Sequence, residues 1–283
     1  PQYQPGGSDT DRCNRLAVLE GATAKVILEG SFLGLPGKAK FGTTTAREVA
    51  YGYDLLLRPK SLVSNEGTPA LNVQMTRDFV GNVLTRESSN YTYDGLHRMV
   101  IGEAETYAYD ELSNLSRRGS RTYTYQAAGE RDKNQMRLAA YNDGSEHALG
   151  YDREGNLVSL EDRFDELGYD NLGRLREITH DSQTDKYGYD ASGIRFRREE
   201  GSEVVYSMHS GDWIVFQEKY SSGVLAESRF NLLAGGQIVG QVRKVGASDP
   251  VYLFFGLDNL GSRRVVWNED GTVKVKFNYS AWG

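Results

Sequence analysis

The sequence predicts an all-β fold, a spiralling antiparallel sheet of repeated β-hairpins. Three observations carry this prediction: a turn pattern that recurs along the chain, pairs of aromatic residues in front of it, and a high tyrosine content. The pattern is seen in YDREGNL at 151–157 and again in YDNLGRL at 169–175. Such recurrence is typical of an architecture in which one supersecondary unit is stacked many times.

The recurring turn is an aspartate followed three positions later by a glycine. Neighbouring aspartates lie 16, 18 or 20 residues apart, as between Asp78 and Asp94, Asp152 and Asp170, and Asp170 and Asp190. Two strands of about five to six residues and two short turns fill that length, so each copy has the size of one hairpin. The structural turn residues predicted from complete copies are Asp78, Gly81, Asp152, Gly155, Asp170, Gly173, Asp190, Gly193, Asp258 and Gly261.

Other copies keep part of the pattern. Three retain the aspartate and replace the glycine: Asp54 with Leu57, Asp94 with His97, and Asp110 with Ser113. Three more replace the aspartate: Gln126 to Gly129, Asn268 to Gly271, and Ser280 to Gly283. Histidine tolerates a left-handed backbone better than most residues, so a structural role is favoured over a catalytic one for His97.

The chemistry of the pattern indicates a tight turn. An aspartate carboxylate accepts a hydrogen bond from the backbone N–H two residues further on, which starts the turn. Glycine three positions after the aspartate supplies the positive φ that such a turn, or the bulge after it, requires. The apolar residue that follows, such as Val83, Leu157 or Leu175, then begins the return strand. A separate hairpin is predicted at 141–147, where Asp143-Gly144 suits a two-residue turn.

Aromatic residues two apart precede most of the turns, as in Tyr51–Tyr53 and Tyr187–Tyr189. This spacing places both rings on one face of a strand. The chain has 18 Tyr and 10 Phe. Because a tyrosine buries its ring while its hydroxyl reaches water, we expect a broad sheet with neither face fully dry rather than a thick core. The rings predicted to stack as an aromatic ladder are Tyr53, Tyr93, Tyr109, Tyr151, Tyr169 and Tyr189.

Bulk composition excludes several classes of protein. The net charge is -6, with 39 acidic and 33 basic residues, so neither nucleic acid nor an anionic membrane is the expected partner. Cys13 is the only cysteine, which excludes an intrachain disulfide and favours a bland thiol over a reactive one. Apolar runs such as 251–257 are far shorter than the roughly 20 residues that span a bilayer, so no membrane span is predicted.

The motifs of common catalytic sites are missing. The sequence contains no glycine-rich nucleotide loop and no nucleophile elbow, and its four histidines lack the spacing of a zinc site. The acidic pairs Glu161-Asp162 and Glu199-Glu200 lie on predicted strands, where adjacent side chains point to opposite faces. We therefore predict no catalytic residue, no metal site and no cofactor.

Basic clusters leave three interpretations open. In RFRR at 195–198, strand alternation places Arg195 and Arg197 on one side and Phe196 on the other. Such a face would line a lumen that holds cargo, bind a sulfated glycan, or simply balance Glu199 and Glu200. The last interpretation is the simplest.

The repeated stretches resemble the YD repeats of the Rhs family, which includes the Rhs polymorphic toxins, the C components of toxin complexes and the YD shell of teneurins. The resemblance is carried by YTYDGLHRMV, YDREGNLVSL and YGYDASGIRFRREEG, and by VYLFFGLDNLGSRRVVWNEDGTVKVKFNYSAWG near the end. It implies a weakly matching N-terminal β segment at 1–50, a YD-repeat hairpin array at 51–200, and a β continuation at 201–283. The continuation leads toward an Rhs-type core that is itself absent.

This resemblance implies a structural wall of a container, in which YD hairpins wind into a hollow shell around a C-terminal toxin or other cargo. The expected partners are the rest of the shell or a second copy at the sheet edges, and the enclosed polypeptide. The expected location is secreted or at the cell surface. The autoprotease motifs of the family are expected beyond Gly283, since Asp249-Pro250 does not match them, so no enzymatic activity is expected in this chain.

Two alternatives belong to other classes of function. The first is an extracellular adhesion or glycan-binding YD-repeat module, which would use exposed aromatic clusters to hold a sugar or a receptor. The second is an enzyme whose carboxylates converge from distant repeats.

Overall fold

The computed structural model describes residues 15–20, 23–30, 36–42, 47–125, 136–140, 146–161, 163–234 and 236–280. In these ranges the regular structure consists of β-strands, with no helix. The predicted all-β fold of antiparallel hairpins is therefore confirmed. Cys13, the Asp143-Gly144 turn and the variant turn at 126–129 lie outside the described residues.

The strands follow one another with short turns between them. The first fifteen are β1 (Arg15–Glu20), β2 (Thr23–Gly30), β3 (Pro36–Phe41), β4 (Arg47–Tyr53), β5 (Pro59–Ser64), β6 (Asn72–Arg77), β7 (Val83–Arg86), β8 (Ser89–Tyr93), β9 (Met99–Gly102), β10 (Glu105–Tyr109), β11 (Leu115–Arg118), β12 (Arg121–Tyr125), β13 (Met136–Ala140), β14 (Glu146–Tyr151) and β15 (Leu157–Leu160). The others are β16 (Glu166–Tyr169), β17 (Leu175–His180), β18 (Gln183–Tyr189), β19 (Arg195–Glu200), β20 (Glu203–Ser210), β21 (Trp213–Ser221), β22 (Val224–Ala234), β23 (Gln237–Val245), β24 (Val251–Leu257), β25 (Arg263–Asn268) and β26 (Val273–Lys276).

Within each sheet, every strand pairs with the next one along the chain. Among the described residues, β1 to β15 form one sheet in sequence order and β16 to β26 form another. This topology uses only local hairpin connections, which agrees with the hairpin-sized repeat read from the sequence.

A bulge recurs beside the turns. Gly168 pairs with Glu177, but the next residue, Tyr169, pairs with Leu175, so that Arg176 is left over on the return strand. The same register shift occurs before Tyr93, Tyr109, Tyr151 and Tyr189. A bulge bends its strand and increases the local right-handed twist. Successive hairpins therefore each carry the same local bend.

The chain divides into two compact units. The first contains Pro1–Ser89, Met208–Glu218 and Leu225–Gly283, and the second contains Asn90–Ser207 and Lys219–Val224.

The first unit has a dry core between strands from the start and the end of the chain. Phe41 on β3 lies 6.1 Å from Phe254 on β24 and 5.9 Å from Trp267 on β25, measured between ring centroids. Trp267 is fully buried, and the apolar run of β24 is buried on both faces. This core differs from the expectation of a sheet without a dry face, because a continuous apolar strand such as β24 is typical of burial on both sides.

The second unit is much less dry. Among its described residues, the buried apolar side chains are Tyr91, Tyr107 and Leu167, which still expose 4% to 8% of their surface. Most other strand residues are half-buried or exposed. Here the expected sheet with neither face fully dry is what the structure shows.

Candidate functional site: the repeated aspartate turns

The turn at Asp170 shows how one carboxylate organises a hairpin. Its Oδ1 accepts hydrogen bonds from the backbone N–H groups of Leu172 at 2.9 Å and Arg174 at 3.0 Å. Its Oδ2 accepts a hydrogen bond from Nε of Arg174 at 2.7 Å. The backbone N–H of Gly173 donates to the carbonyl oxygen of Asp170 at 2.9 Å. Both carboxylate oxygens are thus used inside the turn.

The other aspartate turns repeat this arrangement with one variable part, the residue four positions after the aspartate. Arginine occupies it after Asp54 and Asp94, where its Nε donates to Oδ2 at 2.7 Å. Asparagine occupies it after Asp78, Asp110 and Asp152, where its Nδ2 donates at 2.8 to 2.9 Å. After Asp190 and Asp258 the backbone bonds remain, with Ile194 and Ser262 in that position.

Sequence reasoning missed this fourth position. It predicted the bond to the N–H two residues on and the glycine three residues on, but not the side chain that closes the turn. The signal was present, because Arg58, Asn82, Arg98, Asn114, Asn156 and Arg174 all stand four residues after their aspartate. Both side-chain types carry N–H donors of the right length to reach a carboxylate.

Hydrogen bonds lower the pKa of the turn aspartates whose fourth following residue is arginine or asparagine. The backbone N–H of Arg174 and then its side chain lower the pKa of Asp170 below the ordinary value, against the opposing effect of burial. The pKa of Asp152 is lowered first by the side chain of Asn156. These carboxylates therefore remain charged near pH 7, as suits a structural hydrogen-bond acceptor and not a proton donor.

The position three residues after the aspartate has a left-handed backbone. Gly81, Gly155, Gly173, Gly193 and Gly261 have φ of 108°, 87°, 71°, 84° and 83°. Leu57, His97 and Ser113 adopt the same region with φ of 62°, 60° and 66°. The variant copies therefore form the same turn in spite of the steric cost that a Cβ carries there.

The tyrosine in front of a turn links its repeat to the preceding one. The hydroxyl of Tyr169 donates to the carbonyl oxygen of Leu157 at 2.8 Å, and that of Tyr189 donates to Leu175 at 2.7 Å. In each pair the acceptor is the first residue after the preceding turn. Tyr109 makes the equivalent bond to Met99 at 2.8 Å.

Arginines of the turns cover some of these rings. The guanidinium of Arg174 lies 5.0 Å from the ring centroid of Tyr189, and that of Arg98 lies 4.6 Å from the ring of Tyr109. The same arginines reach the next turn, since Arg98 donates to the hydroxyl of Ser113 at 3.0 Å. Tyr53, Tyr93, Tyr109, Tyr151, Tyr169 and Tyr189 are all half-buried at the ends of their strands. Stacking of these rings on one another stays a prediction.

At the turn of Asp258, a residue distant in sequence takes the place of the donor that the fourth position supplies in most other turns. Ser262 is too short to reach Oδ2 of Asp258, and this oxygen instead accepts a hydrogen bond from Arg86 at 2.5 Å. Similarly, the indole N–H of Trp267 donates to Glu66 at 2.8 Å, and Arg47 donates to the carbonyl oxygen of Gly271 at 2.5 Å. These contacts fasten residues more than 170 positions apart in sequence.

A buried carboxylate in the same unit is held by two arginines. Glu227 on β22 accepts hydrogen bonds from Arg229 at 2.5 Å and from Arg243 on the neighbouring strand β23 at 2.6 Å. The side chain of Arg229, followed by that of Arg243, lowers the pKa of Glu227 to about 2. The cluster joins β22 to β23 through one carboxylate shared by two guanidinium groups.

In the described part of the chain, no three His, Cys, Asp or Glu side chains are grouped as metal ligands would be. Within it, too, no helix has the length and hydropathy to cross a membrane.

Comparison with known proteins finds similar structures but no similar sequences. No protein-family model matches the sequence, and no curated protein matches it either. Among solved structures, the crystal structure of TcdB2-TccC3-TEV matches 93% of this chain with a TM-score of 0.60 and 14% identity. The chain therefore shares its fold with a part of TcdB2-TccC3-TEV. The predicted resemblance to Rhs and YD-repeat proteins is therefore confirmed as a shared fold.

Two further toxin-complex structures agree. A Tc holotoxin pore of Photorhabdus luminescens matches 93% of this chain with a TM-score of 0.58 and 14% identity. TcdB2-TccC3 without its hypervariable C-terminal region matches 91% with a TM-score of 0.56 and 15% identity. In each case the chain spans 16% of the length of the chain that it matches.

Proposed function

We propose that this chain is part of the wall of a YD-repeat container that encloses a toxin or another cargo polypeptide. The observation that carries the proposal is the match of 93% of the chain to TcdB2-TccC3-TEV at a TM-score of 0.60. The repeated turn supports it, since the aspartate turns are held by internal hydrogen bonds and Tyr109, Tyr169 and Tyr189 link their hairpins to the preceding ones.

The wall has no chemistry of its own in this proposal. The carboxylates of the turns are committed to N–H donors, within the same hairpin as at Asp170 or, at Asp258, also from Arg86. An acid–base catalyst needs a carboxylate that exchanges its proton near neutral pH, and the lowered pKa of Asp170 disfavours that role. The partners are then the remainder of the shell, at the sheet edges, and the enclosed polypeptide.

The expected organisation and location follow from the same proposal. Residues 51–200 would be the hairpin array, with 1–50 before it and 201–283 leading toward the core of the shell. A container that delivers a toxin acts outside the cell that makes it, so a secreted or surface location is part of the proposal.

Native mass spectrometry of the complete gene product tests the proposal. We expect a species whose mass includes a second polypeptide, or a cleaved segment, that stays bound after purification and leaves on denaturation. A gene product that carries no bound polypeptide and leaves its C-terminal region sensitive to protease would contradict encapsulation. A glycan array on the same sample would then test the adhesion module.

A further inference from the structure

An open groove in the first unit lies between two neighbouring aspartate turns, 54–58 and 78–82. Its volume is about 600 Å³, and residues of both turns line it together with Met75 and Leu84. The turns are close, since a Cβ built on Gly81 would lie 3.3 Å from Nη1 of Arg58. The groove is a different feature from the hydrogen-bonded turns described above, although it lies between two of them.

Large apolar side chains stand exposed around this groove. Leu55 and Phe79 are 102% and 101% exposed, and Leu56 and Val80 are 66% and 68% exposed. Isolated exposed apolar residues are ordinary, but a contiguous group on a concave surface marks an interaction site.

The position directly after the aspartate makes these two turns different from the others. It holds Leu55 and Phe79 here, whereas the remaining turns hold small or polar residues: Gly95, Glu111, Arg153, Asn171, Ala191 and Asn259. The turn geometry is the same in all copies, so folding of the hairpin does not require an apolar residue there. The two exceptions are adjacent and face one groove.

The charges at the groove favour an acidic partner. Arg58, Lys60 and Arg77 line it against Asp54 and Asp78, in a chain whose net charge is -6. The carboxylate of Asp54 is neutralised within its turn by Arg58. Arg77 donates to the carbonyl oxygen of Pro59 and lies 3.8 Å from the sulfur of Met75, and no carboxylate among the described residues pairs with it.

A second copy of the chain is a poor occupant. A two-fold contact of this groove with itself would bring the four cations Lys60 and Arg77 of both copies into one interface, where the two Asp78 carboxylates are too few to pair with them. Juxtaposed like charges disfavour such a contact. An apolar segment with carboxylates, in contrast, would contact both the apolar side chains and the cations of the groove.

We propose that this groove binds a polypeptide segment of a partner that presents apolar side chains flanked by carboxylates. Leu55, Leu56 and Phe79 would contact its apolar side chains, and Lys60 and Arg77 its carboxylates. The inference goes beyond the container function, because it concerns a segment that binds at this groove, whether or not the chain encloses a cargo.

Binding of labelled peptides to the full chain tests this proposal by fluorescence anisotropy. The probes are a peptide of alternating leucine and glutamate, one of alternating leucine and lysine, and one of alternating serine and glutamate. We expect the leucine–glutamate peptide to bind at least about tenfold more tightly than the other two. Equal binding of the lysine peptide, or of the serine peptide, would overturn the proposal.

Groove variants locate the site. The double variant Leu55→Ser with Phe79→Ser should weaken binding of the leucine–glutamate peptide at least about tenfold, and Lys60→Glu should weaken it severalfold. The matched control is Leu172→Ser, which changes a turn-tip leucine that is 76% exposed in the second unit. Its binding should equal that of the unchanged chain.

Two outcomes would overturn the assignment of the site or of its occupant. One is unchanged peptide binding in the double variant, with thermal unfolding showing that it folds like the control. The other is a dimer of the full chain in sedimentation analysis that the double variant abolishes, because a second copy would then fill the groove.

Discussion

At the scale of the residue, the backbone conformation at the third position after each aspartate decides whether the turn forms without strain. Gly173 has a φ of 71° in open space, where the nearest atom to a built Cβ is Oδ1 of Asn156 at 4.0 Å. Strain from a new side chain there would therefore come from the backbone and not from a clash.

Replacement of this glycine should destabilise the fold. Gly173→Val should lower the free energy of unfolding by about 1–2 kcal/mol, because a β-branched residue is disfavoured at positive φ. Urea unfolding followed by circular dichroism measures the change. Gly95→Val is the matched control, since a Cβ at Gly95 meets open space and its φ is not positive. Equal losses in the two variants would contradict the strain argument.

Glu227 should make the stability depend on pH. Its pKa is about 2 when folded and near 4.5 when unfolded, so the stabilisation is fully present above pH 4.5 and is lost as the pH falls toward 2. Glu227→Gln should lower stability by about 1 kcal/mol at pH 7, because the paired arginines are partly exposed and screened. The difference in unfolding free energy between the two proteins should shrink below pH 4.5. If this difference in unfolding free energy stayed constant down to pH 2, the pH dependence assigned to Glu227 would be contradicted.

At the scale of the element, one hairpin is tied to the next by the tyrosine hydroxyl. Tyr169 and Tyr189 both donate to the first residue after the preceding turn. Each such bond crosses between repeats, so its loss should loosen the array without changing the turn itself.

Removal of one hydroxyl tests this link. Tyr169→Phe should cost about 1 kcal/mol of unfolding free energy, the usual net value of one hydrogen bond. Hydrogen exchange should rise at β15 and β16 and stay unchanged at β24 in the first unit. Unchanged stability and exchange would mean that the hydroxyl bond does not hold the repeats together.

The hairpins were largely predictable from sequence, and the reason is that their causes are local. The aspartate, the left-handed position and the return strand all lie within seven residues, as in YDNLGRL at 169–175. A bulge after the turn was one of the options that the sequence left open, but its position at Arg176 was not predictable, because register between strands is set by pairing. The donor at Arg174 was visible four residues after its aspartate but requires the turn geometry to interpret.

At the scale of the whole molecule, the dry core of the first unit could not be predicted from the repeats. It joins Phe41 to Phe254 and Trp267 across more than 200 residues. Sequence periodicity reports which face a residue occupies and not which distant strand covers that face. The bond from Arg86 to Asp258 escaped prediction for the same reason.

This core should dominate the stability of its unit. Trp267→Ala should lower the free energy of unfolding by about 3–5 kcal/mol, because it leaves a cavity and removes the indole N–H from Glu66. Trp213→Ala is the matched control, since Trp213 belongs to the same unit and is 39% exposed. The control should lose less than about 1 kcal/mol. Similar losses would contradict the placement of Trp267 in the core.

The most direct test of the container proposal is a cryo-electron microscopy map of the complete gene product. We predict a closed shell in which the hairpins of this chain form part of the wall, with additional polypeptide density inside. A map in which these sheets enclose no space, with both sheet edges in solvent and no internal density, would contradict the proposal.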